Sequence, residues 1–157
     1  KIVLPLVDNG SIKNSKQKAI VINFMKNIVK ILKKNNQMIL FELDMNPKKA
    51  KNFIEKLNPK FFGINYDIGN SSSLGYDPQD EFASYGRRIK NIHIKDRIYK
   101  GSSVKLGEGN ANFEKVFFLL DKIKYNGNYI LQTARAKDNR SHSEEIKQNL
   151  KVIKKWI

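Results

Sequence analysis

The stretch NYDIGN at residues 65–70 decides the fold together with NIHIKD at residues 91–96, because each ends an apolar run in an abrupt change to polar residues. Asp67 and His93 therefore stand near the C-terminal ends of two strand-like segments. A carboxylate and an imidazole in such positions are typical ligands of a metal ion. For these two segments alone, a second interpretation stays open: Asp67 caps the following helix, and His93 is a hydrogen-bonded histidine of the core.

Length and composition are those of an ordinary globular protein. The 157 residues are enough for one domain with its own core, so we expect residues 1–157 to form a single domain. There is no cysteine, which excludes a disulfide framework and a thiolate zinc site. No apolar run approaches the ~20 residues of a membrane span, and no signal peptide is visible, which favours a cytoplasmic protein without a membrane partner. The chain starts at Lys1 directly in a strand-like run, so we expect the N-terminal strands of a longer protein to be missing.

The net charge of +15 indicates either an anionic partner or a biased composition. Lysine and asparagine are scattered through every segment, and no basic run with interleaved aromatic residues forms a nucleic-acid stripe. We therefore expect solvated lysines on helix surfaces, and we do not expect nucleic acid as a partner.

Strand-like and helix-like segments alternate along the chain. Apolar runs predict strands at residues 2–6, 38–43, 61–66, 89–94 and 129–133. Helical spacing and caps predict helices at residues 15–34, from 47 to before 59, 78–86, 113–123 and from 142 to 156. Residues 71–75 and 96–111 are predicted loops. The alternation and the near-continuous apolar strands indicate an α/β fold, a parallel sheet covered by helices.

Two architectures fit five such βα units. One is a complete doubly wound, flavodoxin-like sheet, and the other is part of a (β/α)8 barrel, which needs ~250 residues. Length favours the first. Polar residues near four strand ends favour the second, because strand ends converge on one site in a barrel but are strung along an edge in an open sheet. These residues are Glu42, Asp67, His93 and Gln132.

The four side chains form a plausible donor set for a metal. Two carboxylates, one imidazole and one amide oxygen suit a divalent ion such as Mn²⁺, Mg²⁺, Co²⁺ or Zn²⁺. The alternative is that they are unrelated polar residues that cap helices or form hydrogen bonds with loops. Equivalent positions in successive units favour the metal site, so we expect a divalent metal ion as the cofactor.

Several short motifs occur in an order shared with a known family. They are Phe41-Glu42, the stretch at residues 65–70, HIKD at 93–96, LGEG at 106–109 and Leu131-Gln132. With them the chain resembles the xylose-isomerase-like TIM barrels, the sugar phosphate isomerase/epimerase group. The resemblance covers nearly the whole chain but only the family's later part. It implies a partial TIM barrel, with about five βα units that correspond to barrel strands 4–8.

The resemblance also implies a set of site residues. The family binds its metal through Glu, Asp, His and Glu on the last four strands, and Glu42, Asp67 and His93 match the first three. The fourth position falls on Gln132, which can offer an oxygen to a metal but cannot act as a general base. Glu42 is then the catalytic carboxylate, and a one-base isomerisation, a dehydration or another metal-assisted step replaces a symmetric two-base epimerisation.

Further residues follow from the same resemblance. Asn70 lies three residues after Asp67, where relatives often have a substrate-contacting His, and could hydrogen-bond a sugar hydroxyl. Arg97 and Arg135 lie just past strand ends and could hold a phosphate or carboxylate, although surface arginines explain them equally well. Asp96 is expected to orient His93 or to support the metal from its second shell.

The expected function is therefore a metal-dependent isomerase or epimerase that transfers a proton next to the carbonyl of a small sugar or sugar phosphate. One alternative is a barrel with altered or lost chemistry, marked by Gln132. Another is an abasic-site endonuclease-like protein, which the basic charge favours but which needs a histidine-rich metal cluster; the chain has only His93 and His142. An open sheet edge also leaves room for a homo-oligomer in which a second copy completes the sheet.

Overall fold

The computed structural model describes residues 1–135 and 141–156. Two compact units make up the chain. Unit 1 consists of Lys1–Tyr66 and Asp80–Asn91, and unit 2 of Asp67–Gln79 and Ile92–Ile157.

The five strands of the main sheet alternate with helical segments as predicted. In chain order the elements are β1 (Ile2–Leu6), α1 (Ser15–Asn27), α2 (Val29–Lys34), β2 (Ile39–Leu43), α3 (Pro47–Ile54), β3 (Phe62–Asp67), α4 (Ile68–Leu74), α5 (Pro78–Tyr85), β4 (Ile89–Ile94), β5 (Asp96–Arg97), β6 (Ser103–Val104), α6 (Phe113–Lys122), β7 (Asn128–Leu131) and α7 (His142–Ile153).

The main sheet has the strand order β1-β2-β3-β4-β7. Strands β1 and β2 are parallel with Leu4 opposite Phe41, and β2 and β3 are parallel with Phe41 opposite Ile64. The order follows the chain without reversal, whereas a doubly wound sheet reverses its strand order at a switch point. The fold is therefore α/β with a parallel sheet, and the flavodoxin-like alternative is wrong. A sequential order is what a barrel segment has, and the extent of that barrel stays a prediction.

The core of unit 1 forms around the aromatic residues of β2, α3 and β3. Phe41 packs edge-to-face on Phe53, with ring centroids 5.1 Å apart, and stacks on Phe62 at 6.1 Å. All three side chains are fully buried. Burial of one such side chain stabilises the fold by roughly 1.5–3 kcal/mol. Strands β2 and β3 are thus covered on both faces, as in other parallel sheets.

The core of unit 2 lies under α6, whose inward residues Val116, Leu119 and Leu120 are buried. Phe117 of the same helix contacts Tyr129 of β7 and stacks on Trp156, with ring centroids 5.8 Å and 6.3 Å away. These aromatic contacts hold β7 and the chain segment after α7 against α6. Trp156 therefore belongs to the packing of unit 2.

The predicted helix starts are confirmed where local capping chemistry sets them. Asn46 accepts a hydrogen bond from the backbone NH of Lys49 at 2.9 Å, with Pro47 in the first turn of α3. Ser141 and Glu144 form the predicted capping box of α7. Both signals rest on residues close together in sequence.

Several predicted boundaries are wrong, among them the end of α3, which lies at Ile54 rather than just before Pro59. The helix at 15–34 breaks at Ile28, whose φ of −86° and ψ of 0° lie in the bridge region. Part of the predicted loop at 71–75 is helical, because Asp67 caps α4 and Gly75 ends it at a φ of 74°. The predicted loop at 96–111 contains the antiparallel pair β5 and β6. Helix α7 ends at Ile153 rather than at Trp156.

Within the part of the chain that the structure describes, every helix is too short or too polar to cross a membrane.

Candidate metal centre

Asp67 ends strand β3, and its two carboxylate oxygens have different environments. Oδ1 accepts a hydrogen bond from the backbone NH of Asn70 at 2.7 Å and so caps α4. Oδ2 is buried, on a side chain that is 1% exposed, and has no hydrogen-bond partner among residues 1–135 and 141–156. A buried carboxylate oxygen without a hydrogen bond is costly unless a cation compensates it. The capping role and the metal role of Asp67 are therefore compatible.

His93 lies near the end of β4 with its ring close to that oxygen. Its Nδ1 atom is 3.7 Å from Asp67 Oδ2, and its side chain is 13% exposed. This separation is longer than a hydrogen bond, but it suits two ligands of one ion, each ~2.0–2.2 Å from the metal. The geometry therefore favours a shared cation over a direct bond between Asp67 and His93.

Glu42 is held in place within unit 1 by a chain of buried amides. Its Oε2 atom accepts a hydrogen bond from Asn65 Nδ2 at 2.8 Å, and Asn65 Oδ1 accepts one from Asn91 Nδ2 at 2.6 Å. Glu42, Asn65 and Asn91 are 8%, 1% and 4% exposed. Since each amide has its oxygen and nitrogen in defined directions, this chain sets the orientation of the Glu42 carboxylate.

Within unit 2, Asp67 and His93 offer one carboxylate and one imidazole that could hold a metal ion. The buried Asp67 Oδ2 atom, which has no hydrogen bond in the described part of the chain, and these two donor types fit a borderline or hard divalent cation. Glu42, on β2 in unit 1, stays a predicted third ligand.

Lys95 places a positive charge beside the same aspartate. Its Nζ atom lies 3.7 Å from Asp67 Oδ2 and donates a hydrogen bond to Asn70 Oδ1 at 3.2 Å. The side chain is 17% exposed. The stem lies against Gly69, where a Cβ atom would come within 2.7 Å of Lys95 Cγ. Gly69 therefore makes room for this lysine.

Arg97 donates to the same amide oxygen as Lys95. Its NH1 group bonds Asn70 Oδ1 at 2.8 Å, while Nε and NH2 bond the carbonyl oxygen of Gly101 at 3.1 Å and 2.7 Å. Two cationic side chains thus meet at Asn70 in unit 2. Arg97 also fixes the turn between β5 and β6.

The model of the xylose isomerase-like TIM barrel family matches residues 2–156 of this chain. The chain belongs to that family. Among its relatives is an uncharacterized protein of Methanocaldococcus jannaschii, 25% identical over 118 residues, which are 73% of this chain and 40% of the relative. L-ribulose-5-phosphate 3-epimerase UlaE of Salmonella paratyphi A is 33% identical over 87 residues, which are 54% of this chain and 30% of the relative.

Solved structures share the fold of this chain. A sugar phosphate isomerase/epimerase from Parabacteroides distasonis superposes with a TM-score of 0.74 at 19% identity, covering 96% of this chain and 56% of that one. At this identity, the superposition shows the fold alone. This xylose isomerase-like chain spans less than half the length of both sequence relatives and little over half that of the solved structure.

Asp96 contacts a loop rather than the ligands. Its Oδ2 atom accepts hydrogen bonds from the backbone NH groups of Gly107 and Gly109 at 2.9 Å each, and Oδ1 accepts one from Ala111 at 3.0 Å. A Cβ atom at Gly109 would collide with Asp96 Oδ1. These contacts hold residues 107–111 onto a carboxylate that is 1% exposed. The bond to His93 that a second-shell role requires is not among its hydrogen bonds to the described residues.

Gln132, the predicted fourth ligand, lies one residue past β7. Its backbone NH donates to the carbonyl oxygen of Ile94 at 2.9 Å, and the residue is exposed. Its side chain forms no hydrogen bond with the described residues. Its role as a ligand stays a prediction.

Arg135 contacts other residues than Asn70 and Arg97 do. It lines a cavity of about 310 Å³ together with Thr133, Ala134, His142, Glu145 and Ile146. Glu145 is 4% exposed, and its Oε2 atom has no hydrogen-bond partner in the described part of the chain. Arg135 therefore shares its cavity with a buried carboxylate.

Sequence reasoning missed Asn65, Asn91 and Lys95. Asn65 and Asn91 precede Asp67 and His93 by two residues, and Lys95 follows His93 by two. Because alternate residues of a strand share a face, this spacing is the signal that could have found them. An asparagine inside a buried strand needs hydrogen-bond partners, and a second buried asparagine is a suitable one.

Proposed function

We propose that this chain carries the metal centre and the proton-transfer carboxylate of a sugar or sugar-phosphate isomerase/epimerase. The observation that carries the proposal is the buried Asp67 Oδ2 atom, which has no hydrogen bond among the described residues and lies 3.7 Å from His93 Nδ1. The names of relatives support the reaction class, since several are ribulose-phosphate 3-epimerases. Because the chain covers less than half of those relatives, the activity of the whole protein belongs to this proposal.

Glu42, Asp67 and His93 would hold the metal, with Gln132 as a neutral fourth ligand. The donor set suits Mn²⁺, Mg²⁺, Co²⁺ or Zn²⁺. When bound, the ion would act as a Lewis acid that polarises the carbonyl of the substrate.

Glu42 is the proposed general base. It would take the proton from the carbon next to the carbonyl and return it to the former carbonyl carbon, while the hydroxyl proton moves to the former carbonyl oxygen. Asn65 holds its Oε2 atom at 2.8 Å, which keeps the carboxylate in one orientation for the transfer. Since Gln132 cannot take a proton, one carboxylate serves both proton-transfer steps, as in a one-base isomerisation.

Asn70, Arg97 and Arg135 are the proposed substrate contacts. Asn70 is buried next to the capping bond of Asp67, so a hydroxyl near the metal lies within its reach. The arginines would bind an anionic or hydroxyl-rich end of the substrate. We propose a cytoplasmic enzyme of carbohydrate metabolism that acts on a small molecule rather than on nucleic acid.

Metal binding and proton exchange test this function separately. Titration of the metal-free chain with Mn²⁺ by calorimetry should show one site, and Glu42→Ala and His93→Ala should each weaken it at least tenfold. Incubation of a ketopentose 5-phosphate in D₂O should show deuterium uptake next to the carbonyl by NMR. Glu42→Gln should abolish this uptake yet keep an oxygen for the metal.

Unchanged Mn²⁺ affinity in both alanine variants would overturn the metal centre. A second candidate function, a metal-binding protein without catalysis, is favoured specifically by Gln132 in place of a carboxylate. Tight Mn²⁺ binding without any deuterium uptake would support that candidate instead.

A further inference from the structure

We propose that the cavity between the end of β7 and the start of α7 is a binding site for a small zwitterion, an α-amino acid with an apolar side chain. The cavity has a volume of about 310 Å³ and is lined by Thr133, Ala134, Arg135, His142, Glu145 and Ile146. This volume lies at the lower end of the ~300–1,000 Å³ that is common for small-molecule sites. All six residues belong to unit 2, and none of them is a proposed metal ligand. The inference therefore stands apart from the proposed function.

Glu145 is a buried carboxylate without a counter-charge. The residue is 4% exposed, and within residues 1–135 and 141–156 its Oε2 atom accepts no hydrogen bond and its carboxylate forms no ion pair. A buried carboxylate is costly unless a donor or a cation compensates it. A ligand that brings an ammonium group into the cavity supplies both the charge and the N–H donors.

A nearby donor on the same helix does not satisfy this carboxylate. Asn149 lies one turn after Glu145 on the same face of α7 and is 3% exposed. Its Nδ2 atom also has no hydrogen-bond partner in the described part of the chain, so the two side chains do not bond each other. Helix α7 therefore leaves the charge of Glu145 uncompensated, although a suitable amide is one turn away.

Arg135 brings the opposite charge to the same cavity. It is exposed, and it pairs with neither Glu145 nor another carboxylate of the described residues. A guanidinium can bind a carboxylate through two parallel hydrogen bonds. An arginine and a glutamate that line one cavity without pairing suit a ligand that carries both charges and places each against its opposite.

The charges of the cavity also select among zwitterions. Glu145 and Arg135 cancel when His142 is neutral, so a ligand without net charge leaves the cavity neutral. An α-amino acid, with one ammonium and one carboxylate group, meets this condition at pH 7. The phosphate ester of an amino alcohol carries about −1.5 to −2 on its phosphate and leaves excess negative charge beside Glu145. Ala134 and Ile146 line the cavity with apolar surface for the side chain of the amino acid.

Arg135 is the residue that the cavity shares with the proposed substrate contacts. Asn70 and Arg97, the other two contacts, do not line it. A carboxylate bound to the Arg135 guanidinium excludes a sugar from the same group. The amino acid would therefore compete with the substrate for this one contact.

NMR titration of the metal-free 157-residue chain tests the site with three probes. They are L-valine, its hydroxy-acid analogue, which has a hydroxyl in place of the ammonium group, and isobutylamine, which lacks the carboxylate. We expect L-valine to bind at least tenfold more tightly than either analogue, because each analogue loses one charge-assisted contact. The chain has two histidines, so we also expect L-valine to shift the ring signals of His142 and to leave those of His93 unchanged.

Matched variants assign the two charges. Glu145→Gln keeps the shape but removes the charge, and it should weaken L-valine binding about 10- to 100-fold without weakening that of the hydroxy acid. Arg135→Gln should weaken L-valine to a similar extent, and Arg135→Lys should retain most of the affinity. Glu114→Gln makes the same charge change at an exposed position of α6 and should leave L-valine binding unchanged. Circular dichroism of each variant reports whether the fold persists.

The wild-type chain alone can overturn the site. Absence of L-valine binding, or equal affinity for L-valine and either analogue, overturns it even if Glu145→Gln does not fold. Binding that shifts the signals of His93 rather than those of His142 places the ligand elsewhere and also overturns it. Mn²⁺ titration of the same chain reports on the metal centre separately, so neither result decides the other.

A double-mutant cycle excludes a purely structural role for the two charges. Without ligand, the effects of Arg135→Gln and Glu145→Gln on urea denaturation should be additive, because the two side chains do not pair. A coupling between them would mean that each satisfies the other in solution, and this result would overturn the zwitterion site.

Discussion

Asp67 Oδ2 and His93 Nδ1 face each other at 3.7 Å, while the other oxygen of Asp67 caps α4 through the Asn70 backbone NH at 2.7 Å. One carboxylate therefore serves both the local structure and the candidate metal centre. Because the two tasks use different oxygens, they respond differently to substitution.

Replacement of Asp67 should separate capping from metal binding. Asp67→Asn keeps a capping oxygen, so we expect the free energy of unfolding without metal to change by less than about 1 kcal/mol. Its Mn²⁺ affinity should fall at least tenfold, because the second ligand loses its charge. Asp67→Ala should lose metal binding and also about 1 kcal/mol of stability. Urea denaturation and calorimetry measure the two quantities, and equal metal affinity in Asp67→Asn and wild type would contradict the assignment.

Replacement of Asn65 should break the amide chain to Glu42. Asn65→Leu removes the donor to Glu42 Oε2 and the acceptor for Asn91 Nδ2, both buried. Each group left without its partner costs roughly 1–3 kcal/mol, so we expect a loss of about 2–4 kcal/mol of unfolding free energy. Asn52→Leu, exposed on α3, is the matched control and should stay within about 0.5 kcal/mol. A loss no larger than that of the control would refute the chain of amides.

Replacement of Asp96 should distinguish a loop anchor from a metal-supporting residue. Asp96→Ala leaves the NH groups of Gly107, Gly109 and Ala111 without their acceptor. We expect a loss of about 2–4 kcal/mol of stability, since hydrogen bonds to a charged group contribute roughly 1.5–3 kcal/mol each and are not additive. Mn²⁺ affinity in the folded variant should stay within a factor of three. A 10- to 100-fold loss of affinity would instead restore the second-shell role. Asp121→Ala, exposed on α6, controls for the charge change.

Replacement of Gln132 tests the fourth ligand position. Gln132→Glu adds a carboxylate at the predicted fourth ligand position, so we expect at least tenfold tighter Mn²⁺ binding and the appearance of epimerase activity. Gln148→Glu, exposed on α7, makes the same charge change and should leave Mn²⁺ affinity unchanged. Equal effects of the two substitutions would show that Gln132 lies outside the metal centre.

The Asp77–Lys115 pair should make stability depend on pH. Lys115 donates to both oxygens of Asp77, at 2.7 Å and 2.9 Å, and together with the Gln79 backbone NH it holds the pKa of Asp77 below its ordinary value of 3.8. Because the folded state favours the ionised form, the contribution is complete above that ordinary value and is lost as the pH falls through the lowered one. Asp77→Asn should therefore cost less than about 1 kcal/mol at pH 7, and the cost should vanish in acid. Urea denaturation from pH 2 to pH 7 measures it; a cost independent of pH would exclude the ion pair as its cause.

Much of the fold was predictable because its signals are local. The strands at residues 2–6 and 89–94 match the predicted bounds, and the caps at Asn46 and Ser141 act on residues three positions away. Helix α4 was missed because its serines have modest helix propensity, whereas the Asp67 cap and burial of the segment stabilise it. The break at Ile28 lies inside an uninterrupted helical pattern, so no residue type near it predicts the end of α1.

The sequence by itself determined the α/β class and the polar residues at the strand ends, since periodicity and capping act over a few residues. Only the tertiary structure decided what those residues contact. Asn65 reaches Glu42 across 23 positions, Arg97 reaches Asn70 across 27, and Asp96 binds amides 11 to 15 residues away. Such partners depend on the register of neighbouring strands and on the path of loops. Hydrogen bonds between distant residues are therefore chosen by the packed fold, even though the residue types that form them are visible in the chain.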